Sequence, residues 1–304
     1  MRSFKTTPDQ ADRRLDRVLR GLFRDVPLGA IMKAVRNGGV RLNGARTSVD
    51  ARLSEGDLVS TPWPMDISPA LHQNRLTKQT SEREIKLVTL FRNDDLWCVD
   101  KPAGLLSQPD RAGGDSLITR AWELLGWRRR DFRPALIGRL DRNASGVEAI
   151  AMNAPALRAL SEAMREGNIN KIYVAAVWGD TPEEGEIDIP LIKDSRKNIV
   201  RAARAGEKGL YALTRYKKIS GGKYSLLEVN LLTGRSHQAR IHLASAGYPI
   251  VGDLKYGSRG TPGMRRIMLH AQKISFSPDV RPDGLRDLEV VSPLPDNFGK
   301  LSKK

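Results

Sequence analysis

Residues 138–146 read Gly138-Arg139-Leu140-Asp141-Arg142-Asn143-Ala144-Ser145-Gly146. Leu136-Ile137 in front reads as the end of a buried element, and the Ser145-Gly146 pair closes a turn and opens the apolar run Val147–Met152. The stretch is therefore a loop between two buried elements with one carboxylate, Asp141, between Arg139 and Arg142. Flanking guanidiniums favour the ionised form, which suits a carboxylate nucleophile or charge stabiliser better than a general acid. Spacing alone favours an exposed loop aspartate in a surface ion pair.

Two kinds of neighbour surround this loop in sequence. Asp100–Gln108 (DKPAGLLSQ) and Leu232–Leu243 (LTGRSHQARIHL) also combine glycine, charge and a reactive group. In the second, Arg235 and Arg240 have opposite parity and would face opposite sides of a regular strand; either could hold a carboxylate in a bidentate pair. Around them, strand-like runs dominate: Ile85–Phe91, Leu96–Val99, Tyr173–Val177, Leu210–Arg215, Tyr224–Leu231, Arg240–Leu243 and Met268–Ile274. Helical patterns are fewer. Ser116–Gly126 follows an Asp115-Ser116 cap, and Ala154–Glu166 follows Asn153 with Pro155 in its first turn. This mixture predicts an α+β fold: a mixed, largely antiparallel central sheet with flanking helices and loops.

The motifs now resemble a known family. GRLDRNASG is similar to the H-R-L-D-x-x-T-S-G motif of the RluA family of RNA pseudouridine synthases. LTGRSHQARIHLASAGYPIVGDLKYG, NKIYVAAVWG (Asn170–Gly179) and VDKPAGLLSQP resemble three further motifs of that family, in the family's order, over residues 85–304. The resemblance implies an isomerase that turns uridine into pseudouridine within RNA. It implies that Asp141 is the essential carboxylate, as attacker of C1′ or in glycal formation, and that Tyr173 stacks on the flipped base. Arg240 would pair with Asp141, and Arg139 would fill the vacated base stack. Lys171 is a candidate phosphate contact; Arg235, His237 and Gln238 are assigned to RNA positioning or loop support, and Lys101 and Pro102 to the pocket wall. Four positions depart from the pattern: Gly138 replaces the usual His, Asn143-Ala144 a polar residue and Thr, and Ala239 an Ile or Leu.

Ahead of this region, residues 1–64 predict a small α/β domain. Leu15, Val18, Leu19 and Leu22 recur at helical spacing behind a cap at Asp12. Pro27 and Gly29 then break the chain before a second helix carrying Ile31, Ala34 and Val35. Val40-Arg41-Leu42 reads as a strand entering an Asn43-Gly44 turn, with a second strand over Leu53–Val59 about Glu55-Gly56-Asp57. Two helices followed by G-x-V-x-x-N-G and E-G-D resemble the S4 RNA-binding domain, which implies docking on structured RNA. Pro62–Ser81 reads as a linker, so the expected organisation is 1–64, a connection over 65–84, and a catalytic domain over 85–304.

Composition limits the alternatives. Fifty-one Lys+Arg against 35 Asp+Glu in 304 residues leave a net charge of +16, which points to a polyanionic partner. Ribosomal RNA of the large subunit is the expected substrate, with transfer RNA and a catalytically silent ribosome-assembly factor as alternatives. A single cysteine, Cys98, excludes an internal disulfide and thiolate-based zinc sites. No phosphate-binding loop, dinucleotide fingerprint, H-E-x-x-H or G-x-S-x-G motif occurs. The expectation is redox-neutral chemistry without metal or cofactor. No apolar run reaches membrane-spanning length and the first residues carry no signal-peptide pattern, so a cytoplasmic monomer is expected.

Overall fold

The computed structural model describes residues 2–64, 86–110, 113–127, 132–194, 199–257 and 266–299. Most of the linker expected at 62–81 lies outside them.

The first unit contains β1 (Arg2–Lys5), α1 (Leu15–Leu22), α2 (Leu28–Arg36), β2 (Arg41–Leu42), β3 (Ala45–Arg46) and β4 (Leu58–Thr61). The strands form one sheet in the order β1-β4-β2-β3. Leu15, Val18 and Leu19 of α1 pack with Ile31 and Val35 of α2, and with Val40, Leu53 and Val59, in a core of their own. Asn43 and Gly44 both take positive φ and close the β2–β3 hairpin.

Local readings of this unit need three corrections. Asp12 does not cap α1: it has φ 58°, and Arg14 occupies the cap position without a side-chain hydrogen bond. Gly29 does not break the chain but lies inside α2, which starts directly after Pro27. The expected strand from Leu53 begins only at Leu58, because Leu53 exchanges backbone hydrogen bonds with Asp12 and Arg13 before the Gly56 turn.

The second body begins with β5 (Val88–Arg92), β6 (Leu96–Lys101), α3 (Leu117–Leu124), β7 (Ala135–Leu136) and β8 (Ser145–Ala151). It continues through α4 (Ala154–Glu166), β9 (Ile169–Trp178), β10 (Glu184–Asp188), β11 (Leu191–Asp194) and β12 (Ile199–Ala202). Next come β13 (Leu213–Ser220), β14 (Tyr224–Leu231), α5 (Gln238–Ser245), β15 (Leu269–Phe276), β16 (Glu289–Val291) and α6 (Asp296–Gly299). Ten strands form a mixed sheet in the order β10-β13-β14-β9-β15-β8-β6-β5, with β16 on β15 and β7 on β8. Every pairing is antiparallel except β15 with β8.

Helix boundaries follow from capping. Ser116 and Thr119 make a reciprocal capping box at α3. Asn153 accepts from the Ala156 amide at the start of α4, and left-handed Gly167 ends it. The core interleaves Val147, Ala149 and Ala151 of β8 with Val174 and Ala176 of β9 and Leu160 of α4. The sheet centre is the β9–β15–β8 group, and the loops at its ends carry the site. Two bonds join the first unit to this body: Asp9 Oδ1 accepts from the Ala154 amide (2.7 Å), and Arg158 donates to the Ala11 carbonyl (3.2 Å). Among the described residues no helix is long and apolar enough to cross a membrane.

One element differs in kind from its sequence reading. Arg240–Leu243, expected as a strand, belongs to the helix α5. Gln238 to Leu243 are all buried, so no polar face marks the helical period, and an apolar-flanked run of this length is ambiguous between the two states.

Candidate active site

Asp141 lies in the loop between β7 and β8, with its side chain 23% exposed. Two clamps hold that loop. On the near side the Leu140 amide donates to Glu148 Oε1 (2.6 Å) and Ser107 Oγ (3.1 Å), and the Ser107 hydroxyl donates to the Leu140 carbonyl (2.9 Å). On the far side Lys101 Nζ, fully buried, donates to the carbonyls of Ala144 (2.6 Å), Leu105 (2.9 Å), Pro102 (3.0 Å) and Arg142 (3.2 Å). Burial pulls this ammonium down to about 8 against the attraction of Glu148 and Asp141. Lys101 is thus a fixed strut behind the pocket wall.

The partner of Asp141 comes from α5. Arg240 Nη1 donates to Asp141 Oδ2 at 2.8 Å. The same guanidinium is gripped in bidentate fashion by Asp253, Nε to Oδ2 at 2.7 Å and Nη2 to Oδ1 at 2.9 Å. Asp253 is 1% exposed. Burial works against the charge of Arg240, but the hydrogen bonds to Asp253 and Asp141 outweigh it and hold the group above its usual value. The ring of Tyr256 lies under this guanidinium, 4.9 Å from the centroid.

His237, three residues before Arg240, shares its helix face. Its Nε2 lies 3.7 Å from Asp141 Oδ1, and its Nδ1 is 2.6 Å from the Tyr256 hydroxyl. Burial lowers its proton affinity against the pull of Asp141, so it is neutral at pH 7. It caps α5 from a left-handed conformation, φ 58°, the strained geometry that turns its ring towards the carboxylate.

Lys171 and Tyr173 alternate on one face of β9. Tyr173 is buried, and burial, with Glu148 and Asp141 nearby, pushes its phenol well above the usual range. It is therefore no base at neutral pH, which leaves it an aromatic wall. The Lys171 ammonium sits under the loop, 2.9 Å from where a Cβ on Gly138 would stand. Burial lowers its proton affinity and Glu148 opposes that.

The structure thus brings Asp141, His237 and Arg240 together, with Tyr173 and Lys171 below. It separates the rest. Gln238 is buried, with its amide tied to Thr233, the Arg235 amide, Leu213 and Thr214; it supports the loop and does not reach a ligand. Arg235 is exposed and donates to the Tyr211 carbonyl (2.9 Å). Lys171 is partly buried, with its ammonium beside Gly138 of the Asp141 loop. Arg139 is exposed on the loop's rim. Arg142 turns away to the Gly104 carbonyl (3.1 Å), so the cation on Asp141 comes from α5 and not from the sequence neighbour Arg142. Asp253, Tyr256 and Glu148 had no role in the sequence reading. The first two lie within the quoted stretch that ends at Gly257, and the third is the one charge in an apolar strand.

The chain is similar to known proteins. The family model described as RNA pseudouridylate synthase matches residues 95–245. The ribosomal large subunit pseudouridine synthase C of Pasteurella multocida (strain Pm70) is 32% identical over 302 residues, covering 96% of this chain and 90% of that protein. Its namesake from Escherichia coli (strain K12) is 31% identical over 310 residues, covering 98% and 94%. Among solved structures, human RNA Pseudouridylate Synthase Domain Containing 1 shares the fold, with a TM-score of 0.57 and 23% identity over 70% of this chain and 86% of that one.

Proposed function

The chain belongs to the RNA pseudouridylate synthase family, and from that premise we propose that it modifies uridines of large-subunit ribosomal RNA with Asp141 as the essential carboxylate. The activity is an isomerisation within RNA. The N1–C1′ bond of a uridine breaks, uracil turns in place, C5 bonds to C1′, and the hydrogen on C5 leaves as a proton while N1 gains one. The ribosomal substrate rests on the relatives of matching length.

The observation that carries the assignment of Asp141 is its bond to Arg240, whose charge is fixed from behind by Asp253. A cation locked in this way keeps the carboxylate in one orientation, ready to act on C1′ or on the C2′ proton; both routes use the ionised form. No second carboxyl is needed, because uracil leaves as a stabilised anion, unlike the alkoxide of a sugar hydrolase. The target base must leave its stack to reach Asp141. Tyr173 then supplies an aromatic wall, a stacking contact of about 1–3 kcal/mol. Arg139, exposed on the rim, fills the space the base leaves. The N-terminal unit acts as an S4-like RNA-docking module through the exposed basic faces of α1 and α2.

RNA tritiated at uracil C5 tests the reaction and the residue together. The wild-type protein releases tritium from ribosomal RNA; Asp141→Asn binds the same RNA and releases less than a few per cent as much. Appreciable turnover by Asp141→Asn removes the assignment, and release from transfer RNA alone removes the ribosomal substrate.

A further inference from the structure

β8 runs through the sheet core and carries one charged side chain, Glu148, beyond the polar Ser145 at its start. Glu148 is 0% exposed. Its Oε1 takes the Leu140 amide, and its Oε2 accepts no hydrogen bond among the described residues. Burial raises its proton affinity, against the pull of the Lys171 and Lys101 ammoniums and of the Ser107 hydroxyl. A buried carboxylate with an unbonded oxygen is a poor stabiliser, and a buried charge pair replaced as a whole by apolar side chains of similar volume is often neutral or better for folding. Stability therefore does not explain why this strand carries a glutamate. Position does: the amide it holds belongs to the residue just before Asp141.

Gly138 completes the arrangement. Lys171 Nζ lies 2.9 Å from where a Cβ at 138 would stand, so a side chain there would displace the end of Lys171. This chain therefore puts an ammonium beneath the loop and a carboxylate opposite it.

We propose that Glu148 is a positioning residue for the reaction: by holding the Leu140 amide, with Ser107 bonded to both the amide and carbonyl of the same residue, it sets where the Asp141 carboxylate stands. Lys101 fixes the other end of the same loop, so the two buried clamps bracket the carboxylate. A misplacement of roughly 1 Å can cost about a hundredfold in rate without weakening RNA binding. The inference rests on the assignment of Asp141.

The test measures kcat and KM by C5-tritium release, together with thermal unfolding, for Glu148→Leu, Glu148→Gln, Ser107→Ala and Asp141→Asn in the full chain. Glu148→Leu leaves the buried Leu140 amide and the neighbouring ammoniums without this partner, so it lowers the unfolding temperature, and in the folded protein it lowers kcat about tenfold or more with KM within about threefold. Glu148→Gln still offers an oxygen to the Leu140 amide and stays within about threefold of wild type. Wild-type kcat in Glu148→Leu overturns the proposal, as does equal loss in the Leu and Gln variants, or a change confined to KM. If Glu148→Leu does not fold, Ser107→Ala decides: a several-fold loss of kcat at unchanged KM supports the clamp, and wild-type kcat overturns it. Activity in Asp141→Asn would instead sink the underlying assignment, so the two failures are distinct.

Discussion

Asp141 is held in place through a chain of paired charges. It is bonded to one cation, Arg240, and that cation has two of its nitrogens committed to Asp253 before Asp141 is counted. Without Asp253 the guanidinium could swing among rotamers, and Asp141 would lose its fixed partner. Asp253→Asn keeps the shape but replaces a charged acceptor with a neutral one. A hydrogen bond to a charged group is worth about 1.5–3 kcal/mol, so kcat should fall about 10–100-fold. Tritium-release kinetics at saturating RNA check this, with KM expected within about threefold. A wild-type kcat would mean that Arg240 is held well enough by Asp141 and Tyr256 alone.

Elements place these residues through close backbone contact. β8 and β15 run parallel for only a short register, His270 against Ser145 and Ala271 against Gly146. A Cβ on Gly146 would stand 2.2 Å from the Ala271 carbonyl oxygen, and the glycine has φ 114°. Neither strand can retreat, since β8 is also paired with β6 and β15 with β9. Gly146→Ala should therefore cost about 2–5 kcal/mol and lower the unfolding temperature by roughly 5 °C or more. Calorimetry of the two proteins checks it, and an unchanged melting temperature would show that the strands can part. This glycine was visible in the sequence as the close of a turn, as were the caps at Ser116 and Asn153, because such signals are local. α5 was not visible, because a segment buried all round has no amphipathic period to read. Asp253 and Tyr256 stood in plain view but without a role, since their partner Arg240 is fixed only when α5 folds back on the segment after it. Glu148 was visible only as an oddity in an apolar run; its partner, the Leu140 amide, is a backbone group that no side-chain pattern reveals.

At the scale of the whole molecule, the chain carries a net charge of +16, and the N-terminal unit has its own share of it. The N-terminal unit carries twelve basic against seven acidic residues in its first 64 positions. Arg17 and Arg20 on α1, and Lys33 and Arg36 on α2, are all exposed, and each pair is three residues apart and so lies on one helix face away from the shared core. Those four charges are far in sequence from Asp141, and the role given to them is affinity, not chemistry. Phosphate contacts release counterions, so each one removed flattens the dependence of log affinity on log salt by about 0.7–0.9. Replacing all four with glutamine should therefore reduce that slope by about 3 and weaken RNA binding about tenfold or more at moderate salt. Turnover at saturating RNA should stay within about twofold, because the Asp141 loop and its clamps lie wholly in the other body. Binding measured over a salt series, with tritium release at saturation, separates the two effects. A slope unchanged by the four substitutions would take RNA docking away from this unit and assign the affinity to the basic residues around the catalytic loop.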